Sequence, residues 1–320
     1  MKVFVTGGAG FIGSQYVRAM LAGEYAGYED AEVTVFDLLT YAGTTANLPL
    51  GHERLTFVQG DIRDEAALEE ALPGHDVVVH FAAESHVDRS VTGAVPFAST
   101  NVVGTQQLLD SCARYDVATV LCVSTDEVYG SIETGSWDEH EPLQPNSPYA
   151  ASKAGSDLLA LACRRTHGLD IRLTRCSNNY GPYQNAEKLI PLFITNLLRG
   201  RPVPLYGDGR NVREWLHVAD HCTALQLVLT DGEPGEVYNI GSGVEVTNVS
   251  IARRLVELCG ADPSLIQRVA DRKGHDLRYS LDFSKITKLG FTPAIEFTAG
   301  LESTVEWYRA HPERWPAPAG

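Results

Sequence analysis

The sequence predicts an α/β protein with a Rossmann-type, doubly wound parallel sheet and a smaller C-terminal substrate-binding domain. Three observations support this fold class. Short apolar runs alternate with longer helical patterns, a glycine-rich turn follows the first run, and the alternation stops near residue 176. Runs that are apolar at consecutive positions are typical of parallel strands that helices cover on both faces. A series of such strand and helix units builds a doubly wound sheet.

The predicted elements of the first half alternate, except that no helix is predicted between the second and third strands. The strands are short apolar runs, which lie at Lys2–Thr6, Glu32–Phe36, Leu55–Val58, Asp76–Phe81, Ala118–Ser124 and Ile171–Thr174. The helices between them are longer segments with helical patterns, which lie at Phe11–Ala22, Asp64–Leu72, Phe97–Tyr115 and Tyr149–Thr166.

The second half has a different sequence pattern, with loops rich in Asn, Gly and Pro. Its predicted helices lie near Leu189–Arg199, Val218–Thr230 and Asn248–Cys259. We predict that residues 1–176 form the dinucleotide-binding domain, with later segments returning to it. Residues 177–320 then mainly form the substrate-binding domain.

Composition and charge narrow the class of protein. A chain of 320 residues with 44% hydrophobic residues can bury a large core, in one large domain or in two unequal ones. A formal net charge of −15 provides no basic surface for a phosphate backbone, so nucleic acid and anionic membranes are poor partners. A phosphorylated small molecule stays possible where a few basic residues converge.

The cysteines and the N-terminal segment indicate a cellular compartment. The six cysteines contain no CxxC pair and several lie in apolar segments, which favours reduced core residues over disulfides or a zinc site. No long apolar stretch precedes the first glycines, and none elsewhere approaches the ~18 residues of a membrane-spanning helix. We therefore expect a cytoplasmic protein.

The glycine-rich turn, TGGAGFIG, is a candidate dinucleotide site. Gly7 permits a tight turn, Gly10 lets the backbone approach a pyrophosphate, and Gly13 allows close helix packing. Glycines alone could simply be turn residues. Here a strand precedes them, a helix follows, and Asp37 ends the second strand, where it can bind a ribose 2′-hydroxyl and repel a 2′-phosphate. The pattern favours NAD over NADP.

Tyr149 and Lys153 form a candidate proton-transfer pair in PYAASKAG. They are four residues apart on a predicted helix that Pro148 can start, so they share one face. A free tyrosine, with a pKa of about 10, is a poor base at neutral pH. A neighbouring ammonium and an oxidised nicotinamide would both favour the phenolate, which can take a proton from a hydroxyl. On its own this spacing is common on helix surfaces.

Two adjacent acids, Asp126 and Glu127, follow a predicted buried strand in VSTDEVYG. Such acids can be ordinary helix-capping or solvated loop residues. Of two close carboxyl groups, one can also stay protonated as an acid while the other ionises and acts as a base.

Elsewhere, the spacing of His217 and His221 resembles a helix-borne metal pair. Because Val218 replaces the acid of a zinc-protease motif and no further ligands lie nearby, we expect no metal there.

Over nearly the whole chain these motifs resemble the extended short-chain dehydrogenase/reductases that act on nucleotide sugars. The similarity is greatest to the 4,6-dehydratases of that family. The segments that carry it are TGGAGFIG, DLLTYAG, GDIRD, HFAAESHVDRS, STDEVYG, SPYAASKAGSD, SNNYGPYQNAEKLIPLFI, PLYGDGRNVREWLHV and DRKGHDLRY. The resemblance implies a tightly bound NAD, dTDP-glucose as the substrate, a role in deoxysugar biosynthesis, and a homodimer with a four-helix interface.

The resemblance also implies a reaction. Tyr149 and Lys153 support oxidation at C4 of the glucosyl unit, Thr125 holds the C4 oxygen, Glu127 removes the C5 proton, and protonated Asp126 donates to the departing C6 hydroxyl. Return of the hydride to C6 then gives a 4-keto-6-deoxy sugar. Two alternatives stay open: a nucleotide-sugar 4-epimerase, which needs no acid at position 126, and a non-catalytic NAD-binding sensor.

The resemblance also implies which residues bind the cofactor and the substrate. Those expected at the cofactor are Gly7, Gly10, Phe11, Ile12, Gly13, Asp37, Leu38, Thr40, Gly43, Asp61, Ile62, Phe81, Ala82, Ala83, Ser85, Thr100, Ser124, Tyr149, Lys153 and Asn179. Those expected at the substrate are Ser85, His86, Thr125, Asn178, Lys188, Leu189, Pro204, Tyr206, Arg213, Asn248, Arg272, His275 and Tyr308. Arg213 and Arg272 suit a diphosphate because guanidinium groups bind it bidentately. The chain departs from the family pattern at Leu38, Lys273 and Leu277, which puts the detail of nucleotide contacts in doubt.

Overall fold

The computed structural model describes residues 1–272 and 274–315. Its strands, numbered β1 to β12, are Lys2–Thr6, Glu32–Asp37, Leu55–Gln59, Val77–His80, Thr119–Thr125, Asp170–Cys176, Asn178–Tyr180, Val203–Tyr206, Val212–His217, Val237–Ile240, Glu245–Thr247 and Ile266–Val269. Its α-helices, numbered α1 to α11, are Phe11–Leu21, Glu65–Ala71, Val87–Thr92, Val95–Phe97, Thr105–Arg114, Pro148–His167, Leu189–Leu197, Val218–Asp231, Asn248–Cys259, Ser284–Lys288 and Phe297–Ala310.

The largest sheet is parallel throughout and confirms the predicted Rossmann-type fold. Within the described residues its seven strands have the order β10, β6, β5, β4, β1, β2, β3. The chain passes from β1 outward to β2 and β3, then crosses to β4 and continues outward through β5 and β6. The order therefore reverses between β1 and β4, and ligands of doubly wound sheets bind at the carboxyl ends beside such a reversal.

Alternating side chains of the sheet pack into apolar clusters on its two faces. Val3 and Val5 of β1 join a cluster with α1 and α8, whereas Phe4 between them joins a second cluster with α2, α5 and α6. A third cluster holds α7, α9 and α11 together in the second half of the chain. Burial on both faces explains why the strands are apolar at consecutive positions.

Most predicted strands and helices are confirmed within two residues at each end, but the segment predicted as one helix at Phe97–Tyr115 is composite. The short helix α4 leads into a π-helical stretch, Ala98–Gly104, and only then into α5. Asn101 in this stretch is 1% exposed, and its side chain bonds Glu84 N at 2.8 Å, Glu84 O at 2.9 Å and Ser152 Oγ at 2.8 Å. The wider turn places this amide where it joins three segments, and such turns are frequent at functional sites.

One strand from late in the chain returns to the large sheet. Strand β10 pairs in parallel with β6, and α8 packs against α1. The division of the chain near residue 176 stays a prediction.

All six cysteines are free, and five of them are buried. In the part of the chain that the structure describes, no helix combines the length and the apolar character needed to cross a bilayer.

Candidate functional site

A cleft of about 430 Å³ opens at the carboxyl ends of β1, β4 and β5. This volume lies within the range of small-molecule sites, and its place is the switch point of the sheet. The glycine-rich turn, the two adjacent acids and the Tyr149–Lys153 pair all line it. The structure therefore brings together three motifs that are far apart in the sequence.

The glycine-rich turn is packed too closely for side chains. Gly7 has a φ of +69°, and a Cβ on it would lie 2.5 Å from Ala82 N. A Cβ on Gly13 would lie 2.5 Å from the Gly7 carbonyl oxygen. Helix α1 begins directly afterwards at Phe11, so its free N–H groups face the cleft. This backbone cradle fits the pyrophosphate of a dinucleotide.

Asp37 is the last residue of β2, the position at which this fold is expected to bind the adenosine ribose of a dinucleotide. It is 8% exposed, and its carboxylate accepts hydrogen bonds from Ala9 N at 2.9 Å and Leu39 N at 2.8 Å. Burial raises its pKa, although these two N–H groups oppose the shift. Because the carboxylate borders the cleft and still has acceptor capacity, it suits a ribose hydroxyl.

Every residue predicted to contact the cofactor lines this same cleft, including the exposed Leu38. The residues present therefore fit an NAD molecule.

The two adjacent acids lie in a 3₁₀ turn, Asp126–Tyr129, that follows β5. Thr125 caps this turn, because its hydroxyl oxygen accepts from Glu127 N at 3.3 Å and its O–H donates to Asp126 Oδ1 at 3.2 Å. Asp126 is 2% exposed, and its Oδ2 has no partner among the described residues. Capping is thus done by the threonine, and a buried carboxyl oxygen is left for a ligand.

The pKa values of Asp126 and Glu127 are influenced by different neighbouring charges. Burial raises the pKa of Asp126 well above its usual value, and the neighbouring negative charges of Glu127 and Glu214 act in the same direction. Burial also raises the pKa of Glu127, but three cations, those of Lys188, Arg213 and Arg272, oppose that rise. The arrangement favours a protonated Asp126 beside a more acidic Glu127.

Tyr149 and Lys153 lie on α6, as predicted. Ser147 caps this helix by accepting from Ala150 N at 3.1 Å. Tyr149 is 9% exposed and Lys153 6% exposed, and Lys153 Nζ donates to the Val123 carbonyl oxygen at 2.9 Å. The pair therefore faces the cleft from a helix that is fixed at its first turn.

The protein's own surroundings do not favour the phenolate of Tyr149. Burial raises the pKa of Tyr149 well above its usual value, and the negative charge of Glu127 adds to the rise. Burial also lowers the pKa of Lys153. The expectation that the ammonium and an oxidised nicotinamide together favour the phenolate stays a prediction.

The predicted substrate residues fall into two groups. Those that line the cleft are Ser85, His86, Thr125, Asn178 and Lys188. Those outside the cleft lining are Leu189, Pro204, Tyr206, Arg213, Asn248, Arg272, His275 and Tyr308. Within the second group, the rings of His275 and Tyr206 meet edge to face, and the Arg272 guanidinium lies 5.9 Å from the Tyr206 ring centre. Arg213 is 6% exposed, and its guanidinium donates to the carbonyl oxygens of Val212 and Asp276.

Tyr308 does not line the cleft. It is 1% exposed in the apolar cluster of the second half, and its hydroxyl donates to the Gln184 carbonyl oxygen. Because Gln184 itself lines the cleft, this hydrogen bond from Tyr308 stabilises the loop that contains Gln184. Among the departures from the family pattern, Leu277 is 53% exposed, and Lys273 lies outside the described residues.

Sequence reasoning missed several residues of the cleft wall. Tyr41, Gln184, Asn185 and Glu187 line it, and Asn185 Nδ2 donates to the Tyr41 carbonyl oxygen at 3.1 Å. Tyr183 precedes three of them with a φ of +68°, an uncommon conformation for a residue other than glycine. The Gly-Pro-Tyr sequence before this loop was the available signal of a sharp turn.

The two histidines considered for a metal pair have other partners. The His217 ring accepts from Ala219 N at 3.2 Å, at the start of α8. His221 is buried, and its Nδ1 lies 2.9 Å from Asn179 Oδ1, beside the cleft.

Comparisons with known proteins bear on this site. The family model described as GDP-mannose 4,6 dehydratase matches residues 4–304. A protein of Actinoplanes sp. named dTDP-glucose 4,6-dehydratase is 57% identical over 319 residues, which cover 98% of this chain and all of that protein.

Solved structures are similar too. The crystal structure of DesIV, a dTDP-glucose 4,6-dehydratase from Streptomyces venezuelae with NAD and dTDP bound, is 59% identical with a TM-score of 0.97. It covers 98% of this chain and 99% of that one. The UDP-glucose 4-epimerase of Thermus thermophilus in complex with NAD is 33% identical with a TM-score of 0.89, and covers 97% of this chain and 99% of its own.

Proposed function

The chain belongs to the GDP-mannose 4,6 dehydratase family, and on that premise we propose that it is an NAD-dependent dTDP-glucose 4,6-dehydratase. Its product is dTDP-4-keto-6-deoxy-glucose, a precursor for deoxysugar biosynthesis. The observation that carries this proposal is the buried Asp126, whose pKa is raised by burial and by the charge of Glu127, in the same cleft as Glu127 and Tyr149. The two relatives at 57% and 59% identity share the activity by name.

The cleft residues support an oxidation at C4 first. Bound NAD would accept the C4 hydride and later return it to C6. Tyr149 takes the proton of the C4 hydroxyl, and Thr125 hydrogen-bonds the C4 oxygen. Since the protein's own charges raise the pKa of Tyr149, the positive nicotinamide ring is needed to favour the phenolate.

The acids then serve the elimination of water. A ketone at C4 acidifies the C5 proton, and Glu127 removes it as a general base. Asp126 stays protonated through burial and adjacent negative charge, so it can donate to the C6 hydroxyl as that group leaves as water. The proton taken by Glu127 and the proton given by Asp126 balance the loss of water. When hydride would add to C6, Glu127 can return its proton to C5.

Arg213 and Arg272 are proposed to bind the diphosphate of the substrate. Both guanidinium charges oppose the rise in the pKa of Glu127. Arg272 is held by an ion pair with Asp88 at 3.2 Å, and this pair leaves other guanidinium N–H groups available.

A 4-epimerase is the second candidate, because an epimerase shares the fold at 33% identity. It requires the Tyr149 and Lys153 pair but no acid that expels a hydroxyl. A buried carboxyl with a raised pKa at position 126 has no role in epimerisation, and it therefore favours the dehydratase.

One assay tests the proposal against both alternatives. The protein is incubated in parallel with dTDP-, UDP-, CDP- and GDP-hexoses, and the alkaline absorbance of a 4-keto-6-deoxy product is followed. We expect product from dTDP-glucose above all. Interconversion of gluco and galacto epimers would favour the epimerase, and retained NAD with no product from any hexose would favour a sensor.

We also propose a cytoplasmic homodimer. Four large apolar side chains are exposed in the helical segments between Val87 and His167: Val91, Val95, Val103 and Leu158. Two such surfaces from a pair of subunits can pack as a four-helix interface with two-fold symmetry. The six free cysteines support a reducing compartment.

A further inference from the structure

A buried ion pair lies beneath the catalytic residues. Arg175 Nε is 2.9 Å from Asp157 Oδ2, and the two side chains are only 4% and 2% exposed. Burying two charges costs much of what their attraction returns, so such a pair is weak evidence of stability alone. A role in fixing the arrangement of the surrounding elements is the alternative explanation.

The Asp157 side of the pair fixes the helix that carries out the oxidation. Asp157 is on α6, four residues after Lys153, and therefore lies one turn along the same face. Strand β6, which carries Arg175, is hydrogen-bonded to β5 beside it. The ion pair thus joins this face of α6 to the sheet, next to Lys153.

The other side of Arg175 fixes the turn that carries the acids. Arg175 Nη1 donates to the Tyr129 hydroxyl at 2.8 Å, and that hydroxyl donates to Asn239 Oδ1 at 2.8 Å. Tyr129 is the last residue of the turn that begins at Asp126, and it is 1% exposed. Asn239 in β10 is held in turn by donating to the carbonyl oxygens of Trp137 and Asp282.

We propose that Arg175 is a positioning residue that holds the turn of Asp126 and Glu127 in register with the helix of Tyr149 and Lys153. This inference rests on the proposed function, because it assigns oxidation to the helix and elimination to the turn. The same sugar must present C4 to one element, and C5 and C6 to the other. A single guanidinium with several fixed donors can bond both elements at once.

Tyr129→Phe is the direct test, since it removes only the hydroxyl that connects the turn to Arg175. The ion pair with Asp157 is left in place, so oxidation at C4 should stay within about twofold of the unmodified rate. Elimination should slow about 10-fold or more, because a small misplacement of a catalytic group is costly. NADH absorbance should therefore accumulate during turnover, and exchange of the C5 hydrogen with deuterated solvent should slow.

Tyr16→Phe is the matched control. Tyr16 is also fully buried, and its hydroxyl donates to Gln226 Oε1 at 2.6 Å between α1 and α8, outside the cleft lining. Tyr16→Phe loses one buried hydrogen bond and Tyr129→Phe loses two, those with Arg175 and Asn239, so both should lower the thermal midpoint. Only Tyr129→Phe should change the balance between oxidation and elimination.

Arg175→Lys provides a second and independent measurement. Its single ammonium keeps the charge beside Asp157 but does not reproduce the fork that also reaches Tyr129. We expect the same accumulation of NADH, and adding Tyr129→Phe to it should increase that accumulation by less than the sum of the two single effects, since both remove the bond between Arg175 and Tyr129.

The inference is wrong if Tyr129→Phe converts dTDP-glucose at the unmodified rate without NADH accumulation. It is also wrong if oxidation and elimination slow equally, as general destabilisation would cause. Failure of the unmodified protein to form the 4-keto-6-deoxy product would instead overturn the proposed function, so the two failures are distinguishable.

Discussion

Asp126 and Glu127 are neighbours in the chain but differ in what surrounds them. Asp126 is shielded from solvent beside two other acids, whereas Glu127 lies within the influence of three cations. A proton donor and a proton acceptor can therefore coexist on consecutive residues. This difference leads to separate predictions for the chemistry and for the stability of the chain.

Asp126→Asn should stop elimination without stopping oxidation. The amide preserves the size of the side chain but does not donate a proton as a carboxylic acid does. We expect loss of water to slow by about 10²–10⁴-fold, as is typical when a general acid is removed, while NADH absorbance still appears on adding substrate. Glu127→Gln is the comparison, because it should keep oxidation but lose exchange of the C5 proton. Dehydration by Asp126→Asn at full rate would show that Asp126 is not the proton donor.

The same substitution should stabilise the fold as the pH rises. The raised pKa keeps Asp126 protonated in the folded chain, whereas in the unfolded chain it ionises at about pH 4. The unfolded chain then binds fewer protons, so this residue lowers the free energy of unfolding as pH rises towards its folded pKa. The difference in thermal midpoint between Asp126→Asn and the unmodified protein should therefore grow across that interval. A constant difference between pH 4 and pH 8 would contradict the raised pKa.

Tyr149→Phe should abolish oxidation itself. No phenolate remains to take the C4 proton, and hydride transfer should fall by at least about 10²–10⁴-fold. NAD should still bind, because the glycine-rich turn and Asp37 are untouched. Stopped-flow absorbance measures the first effect and cofactor titration the second. Near-normal turnover in this variant would show that another group is the base.

At the scale of elements, α6 depends on how its first turn is fixed. Ser147 is 8% exposed and caps the helix two residues before Tyr149. Ser147→Ala should cost about 1 kcal/mol of stability, typical of a lost cap, and should also slow oxidation. Glu296→Ala, which removes the side-chain cap of α11, is the control, and it should leave oxidation unchanged. Chemical denaturation and single-turnover kinetics measure the two effects.

The elements show what the sequence could and could not predict. Strands such as Lys2–Thr6 and the glycine-rich turn were predictable because burial and phosphate binding act on consecutive residues. The π-helical stretch was not, since Asn101 is fixed by partners 17 and 51 residues away. For the same reason the raised pKa of Tyr149 was missed, because it depends on burial and on acids from another element.

At the scale of the molecule, the exposed apolar side chains lead to a prediction about assembly. Leu158 on α6 is 60% exposed and Val103 is 58% exposed. Replacing either by glutamate should convert a dimer into a monomer, because a buried unpaired charge opposes the packing of two apolar surfaces. Sedimentation at micromolar concentration measures this, and Leu50→Glu is the control at a position that is 55% exposed outside these helices. An unmodified protein that sediments only as a monomer would contradict the dimer.

The return of β10 to the large sheet has a consequence for biosynthesis. While the chain is being translated, β1 to β6 leave the ribosome first, and β6 then presents an open edge until Val237–Ile240 follows and pairs with it. An unpaired edge can recruit a strand from another nascent chain, and parallel sheets assemble slowly enough to allow it. Chains that terminate prematurely between these two strands should therefore be prone to aggregate and should depend on chaperones.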